Sequence, residues 1–132
     1  MNYNLNDVVQ QKIVYDIVLK GVNHILQQNE KSQNAEGCLY RSDSGLKCAV
    51  GALIADEFYS PALEFMPCCN SSVWNELENS NPEISNLDSE HQQYLESCLL
   101  NLQEIHDDKN IEDWPKLTAQ LMCEIDHDNI PF

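Results

Sequence analysis

Three stretches of apolar residues at helical spacing, and one Ser/Asp/Gly turn between two short apolar segments, predict a mainly α (α+β) fold. About four helices and one small β-hairpin are expected. The chain has 132 residues, 42% of them hydrophobic, which is enough for one core and one domain over 1–132.

The first helix is predicted over about residues 5–28. Val9, Ile13 and Ile17 recur every four residues, as do Val14, Val18, Val22 and Leu26, with Ile25 closing the stripe. Asn4 or Asn6 is the expected cap, and Asp7 suits the positive end of the helix dipole. Residues 27–37 are polar, end in glycine and predict a loop. Residues 38–41 and 46–48 flank Ser42-Asp43-Ser44-Gly45 and predict the hairpin. Residues 48–58 are small and apolar and predict a short buried helix. Gly51 there permits close backbone contact, at a helix cost of about 1 kcal/mol relative to alanine. Residues 66–86, with Pro67 and Pro82, read as irregular apart from one helical turn near residues 72–78. Ser89-Glu90-His91-Gln92 matches a capping box, and Leu95, Cys98, Leu99, Leu102 and Ile105 then form an apolar face. The last helix is expected to begin near residues 110–113 and to carry Pro115 in its first turn. It should bury Trp114, Leu117, Leu121, Met122 and Ile125, and end at Asn129 and Pro131.

The formal net charge is −15, from 22 acids and 7 bases. Its distribution divides the chain. Residues 1–55 hold five acids and five bases, whereas residues 56–132 hold 17 acids with only Lys109 and Lys116. Such a charge repels phosphate backbones, and Arg41 is the one arginine, so direct nucleic-acid binding is not expected. Residues 1–9 lack the basic-then-apolar pattern of a signal peptide. The longest small-apolar run, residues 48–55, is too short to cross a bilayer. The six cysteines are accordingly expected as reduced thiols in the cytoplasm, that of the host if the chain is phage-encoded. No Cys-x-x-Cys or His-Glu-x-x-His pattern occurs, and Asp126-x-Asp128 lacks the remainder of a calcium loop. No metal or other cofactor is expected.

Cys48 is the thiol with the most chemical promise. It follows a glycine-containing turn, neighbours Lys47 and sits at an expected helix N-terminus, all of which favour thiolate. His106 is the matching general base and Asp56 the acid to orient it. Asp107 is expected to orient it less well, because adjacent helical residues point about 100° apart. That trio would define a cysteine-dependent hydrolase or transferase. The same residues also read as structure: a buried core cysteine, and a histidine favoured in the last turn of a helix. Cys68-Cys69 read as packing thiols, Trp74 and Trp114 as core anchors, and Arg41 as the partner of a carboxylate. A further alternative places a phosphate-bearing nucleotide signal on Arg41 and Lys47 beside Tyr40, although no Gly-rich phosphate loop is present.

The stretch Tyr40-Arg41-x-x-x-Gly45-x-Lys47-Cys48-Ala49-Val50-Gly51-x-Leu53-Ile54-x-Asp56-Glu57-x-Tyr59 has a companion in Leu102-Gln103-x-x-His106-Asp107, followed by Trp114-Pro115. Together they resemble a recurring motif of small phage- and prophage-encoded proteins, and the resemblance covers roughly two thirds of the chain. That pattern often has cysteine where this chain has Ala52 and proline where it has Ala55. The resemblance implies a viral or mobile-element context. If the motif positions share one surface, Tyr40, Arg41, Lys47, Cys48, Asp56, Glu57, His106 and Asp107 form the site. Combined with the charge, this favours a non-catalytic protein that binds and inhibits a host or defence protein, a CRISPR effector among them. Carboxylates on a helical surface can imitate duplex DNA, which carries about one charge per 1.7 Å of axis, so the expected partner is basic or nucleic-acid-binding.

Overall fold

A computed structural model describes residues 5–128. Five α-helices and one two-stranded antiparallel ribbon appear among them: α1 (Leu5–Gln28), β1 (Gln33–Asn34), β2 (Gly37–Cys38), α2 (Ala49–Leu53), α3 (Ser71–Ser80), α4 (Ser89–Asp108) and α5 (Trp114–Asp128). Tight 3-10 turns occupy Asp56–Phe58, Pro61–Leu63, Pro82–Asn86 and Ile111–Asp113. The mainly α class holds, with one helix more than expected.

Helix α1 takes the expected bounds and is the spine, packing against α2, α4 and α5. Val14, Ile17, Val18, Val22 and Ile25 are buried, while Val9 at the start of the predicted stripe is exposed. Gln10 and Gln11 are buried in its stead, each with a long-range partner. Gln10 Oε1 accepts the Asp88 N–H at 2.6 Å, and Gln11 Nε2 donates to the Ile125 carbonyl at 3.4 Å. Asn6 lies inside the first turn rather than capping it. Asn4, Asn129 and Pro131 lie outside the described residues. Asn29 ends the helix at φ 55°, the left-handed conformation asparagine tolerates, and its N–H reaches the Ile25 carbonyl at 2.8 Å.

The hairpin forms one turn earlier than predicted. Gln33 pairs with Cys38 and Asn34 with Gly37. The Asn34 side-chain oxygen accepts the N–H groups of Glu36 and Gly37, and Gly37 takes φ 145°. The expected turn at 42–45 is present, with Gly45 N–H on the Ser42 carbonyl, yet only a single bridge, Arg41 to Lys47, forms across it. Cys48 N–H on the Tyr40 carbonyl and Ser42 N–H on the Leu46 carbonyl close this bridge, and side chains hold the backbone groups around it. Glu64 accepts the N–H of Tyr40 and of Arg41, and the Gln28 amide binds both the N–H and the carbonyl of Lys47.

The predicted helix over 48–58 divides into α2, with Cys48 as its cap, and the turn at Asp56–Phe58. Residues 66–86 are more regular than expected. Asn70 caps α3, and Val73 and Leu77 are buried one turn apart. Asn81 then donates to the Leu53 and Leu77 carbonyls at 2.8 and 2.9 Å, tying α2 to α3. The cap of α4 is Asp88 rather than Ser89, which is its first helical residue. Asp88 Oδ1 accepts the His91 N–H at 2.8 Å, and this bond foremost holds the Asp88 carboxyl below its ordinary range. In α5, Trp114, Leu121, Met122 and Ile125 are buried, with Thr118 buried beside a half-buried Leu117. One apolar core spans all five helices. No helix among the described residues is long and apolar enough to cross a membrane.

Candidate functional site

Cys48 is fully buried in the apolar core that also holds Val50, Leu53 and Leu102. Its sulfur accepts the Gly51 N–H at 3.2 Å, so the thiol caps its own five-residue helix. The neighbouring Val50 N–H is taken by Gln103 Oε1 of α4 at 3.0 Å. The backbone donors expected to stabilise a thiolate are therefore engaged within the fold. Burial pushes the Cys48 thiol up to about 12, prevailing over the hydrogen bonds from Gly51, Gln103 and Val50 that act the other way. The features taken from the sequence as activation act here as a helix cap.

His106 is also fully buried, and both ring nitrogens are occupied. Nε2 accepts the Ser32 N–H at 3.1 Å, which requires the ring hydrogen on Nδ1, where Asp107 Oδ1 lies at 2.7 Å. The neighbouring acid thus does reach the ring, contrary to the expectation from helical angles, and Asp56 is not the orienting acid. Trp114 stacks on the imidazole, with centroids 5.4 Å apart and planes 26° apart. With Nε2 committed to a backbone N–H, His106 has no lone pair for a general base to use. Ser32 also donates its hydroxyl to the Leu46 carbonyl and accepts the Leu39 N–H. Together His106 and Ser32 fasten α4 to the 32–46 loop.

Asp56 is 84% exposed and belongs to a surface ion cluster, with Arg41 Nη1 at 2.7 Å and Lys47 Nζ at 3.6 Å. The Arg41 hydrogen bond foremost, and then the Lys47 charge, hold the Asp56 carboxyl below its usual range. The Arg41 guanidinium also donates to the Ile54 carbonyl and lies 4.6 Å from the Tyr59 ring centroid. Glu57 is exposed beside this cluster in sequence. Tyr40 is buried, with its hydroxyl on the Met66 carbonyl. The motif residues therefore do not share one surface. Cys48 and His106 are internal, Arg41, Lys47 and Asp56 neutralise one another outside, and Tyr40 and Asp107 line a cavity together.

Two clusters of metal-ligand types occur among the described residues. The donor atoms of Cys38, His106 and Asp107 lie within 4.8 Å of one another, as do those of Asp7, Asp88 and His91. In the first, the Nδ1–H tautomer fixed by Ser32 would have to surrender its last ring hydrogen to accept a metal. Cys38 is half-buried. Burial first, and then Asp107, push its thiol up to about 11. In the second, Asp88 is already the cap of α4 and binds the His91 ring at 2.8 Å.

Glu64 went unmarked in the sequence, yet its carboxylate accepts three hydrogen bonds within the fold. Oε1 accepts the Tyr40 N–H, and Oε2 accepts the Arg41 N–H and the Tyr59 hydroxyl. Phe65, next to it, sits at φ 65° and is 65% exposed. A bulky residue in that region is strained by about 1–3 kcal/mol, and persists only where its surroundings over-determine it. Those surroundings are Glu64 on one side and the Met66 carbonyl, held by Tyr40, on the other. No signal in the sequence reveals this clamp, because its partners are more than twenty residues apart.

A direct consequence concerns thiol labelling. Iodoacetamide at neutral pH is expected to modify the exposed Cys69 and Cys123 and to leave Cys48 intact until the protein unfolds, as mapped by peptide mass spectrometry. Labelling of native Cys48 as fast as Cys123 would show an open, activated thiol.

No family model, curated protein or solved structure matches the chain.

Proposed function

We propose that this protein acts by binding: it docks its acidic surface on a basic, nucleic-acid-binding protein and blocks it, as a phage- or prophage-type factor against a host or defence protein. One observation carries the reading. Cations of the neutral part are tied to the chain's own groups, whereas many acids of the other part stand exposed. Lys12 pairs with Asp16, Lys31 donates to the Asp107 carbonyl, and Arg41 and Lys47 share Asp56. Glu90, Glu104, Asp108, Glu112, Glu124 and Asp126 are exposed on or beside α4 and α5. Fixed helices hold these charges in place, which suits electrostatic steering toward a basic partner. The resemblance to phage-encoded proteins directs the proposal to a host or defence target.

The hydrolase alternative draws no support from a buried Cys48 and a fully engaged His106. The nucleotide alternative is weakened because Arg41 and Lys47 already face Asp56. Affinity capture from host lysate, at low and then moderate salt, tests the proposal. The expected result is a basic or nucleic-acid-binding partner that is released as salt rises and the screening length falls to about 10 Å near 0.1 M. Capture of no such partner at low salt overturns it.

A further inference from the structure

The acidic binding reading leaves open which part of the surface selects a partner, and one cavity combines charge with an apolar anchor. It encloses about 450 Å³ between the 38–40 segment, the 64–68 loop and α4. Phe65 and Leu100 line it, two of the four large apolar residues exposed among the described residues. Glu64, Glu104 and Asp107 line it as well, and no lysine or arginine does. Lys31 is held on the Asp107 carbonyl at 3.3 Å. Glu64 is satisfied by its three internal donors and Asp107 Oδ1 holds the His106 ring, so the exposed Glu104 and the other Asp107 oxygen supply the negative face.

The display of Phe65 is a built feature. Its left-handed backbone is flanked by the pinned Glu64 carboxylate and the pinned Met66 carbonyl. With that backbone the ring stands 65% exposed, outside the core. We infer that the cavity is the docking groove for a basic segment of a partner protein, in which a large apolar side chain seats against Phe65 and Leu100 while a neighbouring lysine or arginine meets Glu104 and Asp107. This inference rests on the binding reading and narrows it to one place and one ligand chemistry. Charge complementarity selects the occupant: a neutral or acidic segment would bury its apolar residue against carboxylates with no compensating charge.

The test uses two fluorescent peptides of equal positive charge, one alternating lysine with leucine and one alternating lysine with serine. Their binding to the full chain is read by anisotropy at low salt. Phe65→Ser, Leu100→Ser and Glu104→Lys alter the groove. Asp126→Lys alters an exposed acid of α5 that does not line it. Circular dichroism confirms that each variant folds. The leucine peptide is expected to bind about tenfold more tightly than the serine peptide. Phe65→Ser and Leu100→Ser should erase that preference, Glu104→Lys should weaken the leucine peptide further than Asp126→Lys does, and Asp126→Lys should preserve the preference. Equal binding of both peptides, weakened alike by Glu104→Lys and Asp126→Lys, overturns the groove and leaves the acidic binding reading standing. Binding of neither peptide overturns both.

Discussion

Replacing Gly51 with alanine is expected to destabilise the protein by about 3 kcal/mol, although helix propensity alone would favour the change by about 1 kcal/mol. The competition is decided by space. A Cβ at Gly51 would lie 2.0 Å from the Tyr40 carbonyl oxygen and 2.7 Å from its carbon, both backbone atoms. That carbonyl has no freedom to withdraw. It accepts the Cys48 N–H at 3.1 Å, while Glu64 holds the Tyr40 N–H and the Tyr40 hydroxyl holds Met66. Relief would require α2 to lift from the strand-like segment beneath it, opening the core around Val50 and Leu53. Urea unfolding should show a lowered midpoint with little change in slope. An unchanged or raised midpoint would mean that α2 does not rest on Tyr40.

Trp114→Ala is expected to cost about 4 kcal/mol, in the middle of the range for a buried aromatic truncated to alanine. Trp114 is fully buried, stacks on His106 and donates its indole N–H to the Ile105 carbonyl at 2.9 Å. Trp114→Phe keeps most of the bulk and a ring over the imidazole. The Ile105 carbonyl also retains the Lys109 N–H, so this milder change should cost about 1–2 kcal/mol. A double-mutant cycle with His106→Ala should return a coupling of about 1 kcal/mol for the stacked pair. Additive losses would mean that the two rings stabilise the fold independently.

Periodicity made α1 legible to its ends and located the faces of α4 and α5, because an apolar stripe depends on spacing along one element. It failed where polar side chains complete distant backbone. Gln10 and Gln11 are not part of the apolar stripe, yet each is buried and bonds a group far along the chain. Ser89 offered the better capping motif, but Asp88 is fixed by Gln10 as well as by His91, a preference no local pattern contains. At the predicted hairpin the pairing stops after one bridge, where Glu64 holds the Tyr40 N–H that would otherwise face Cys48. For the site, the sequence singled out Cys48 as a nucleophile, Gly51 as a close backbone contact and His106 as a base, and Gln103 stood there only as a motif position. Their importance here is architectural: a cap, a close contact, a fastening to Ser32 and a donor's partner. Residue identity carried that they mattered, and only burial separated thiolate chemistry from packing. Phe65 was invisible because its significance lies in a backbone angle.

The polar fastenings between the neutral and acidic parts also dictate an order in time. Ser32 meets His106 across 74 residues, Asp88 meets Gln10 across 78, and Val50 meets Gln103 across 53. Loop-closure entropy delays such contacts, so this helical chain folds more slowly than its helix content suggests. During synthesis α1 precedes the helices that pack on it, and α2 covers only part of its stripe of Val14, Ile17, Val18 and Val22 before α4 and α5 have left the ribosome. The nascent protein thus passes through an interval with one amphipathic helix half covered. The acidic helices that follow are what end that exposure.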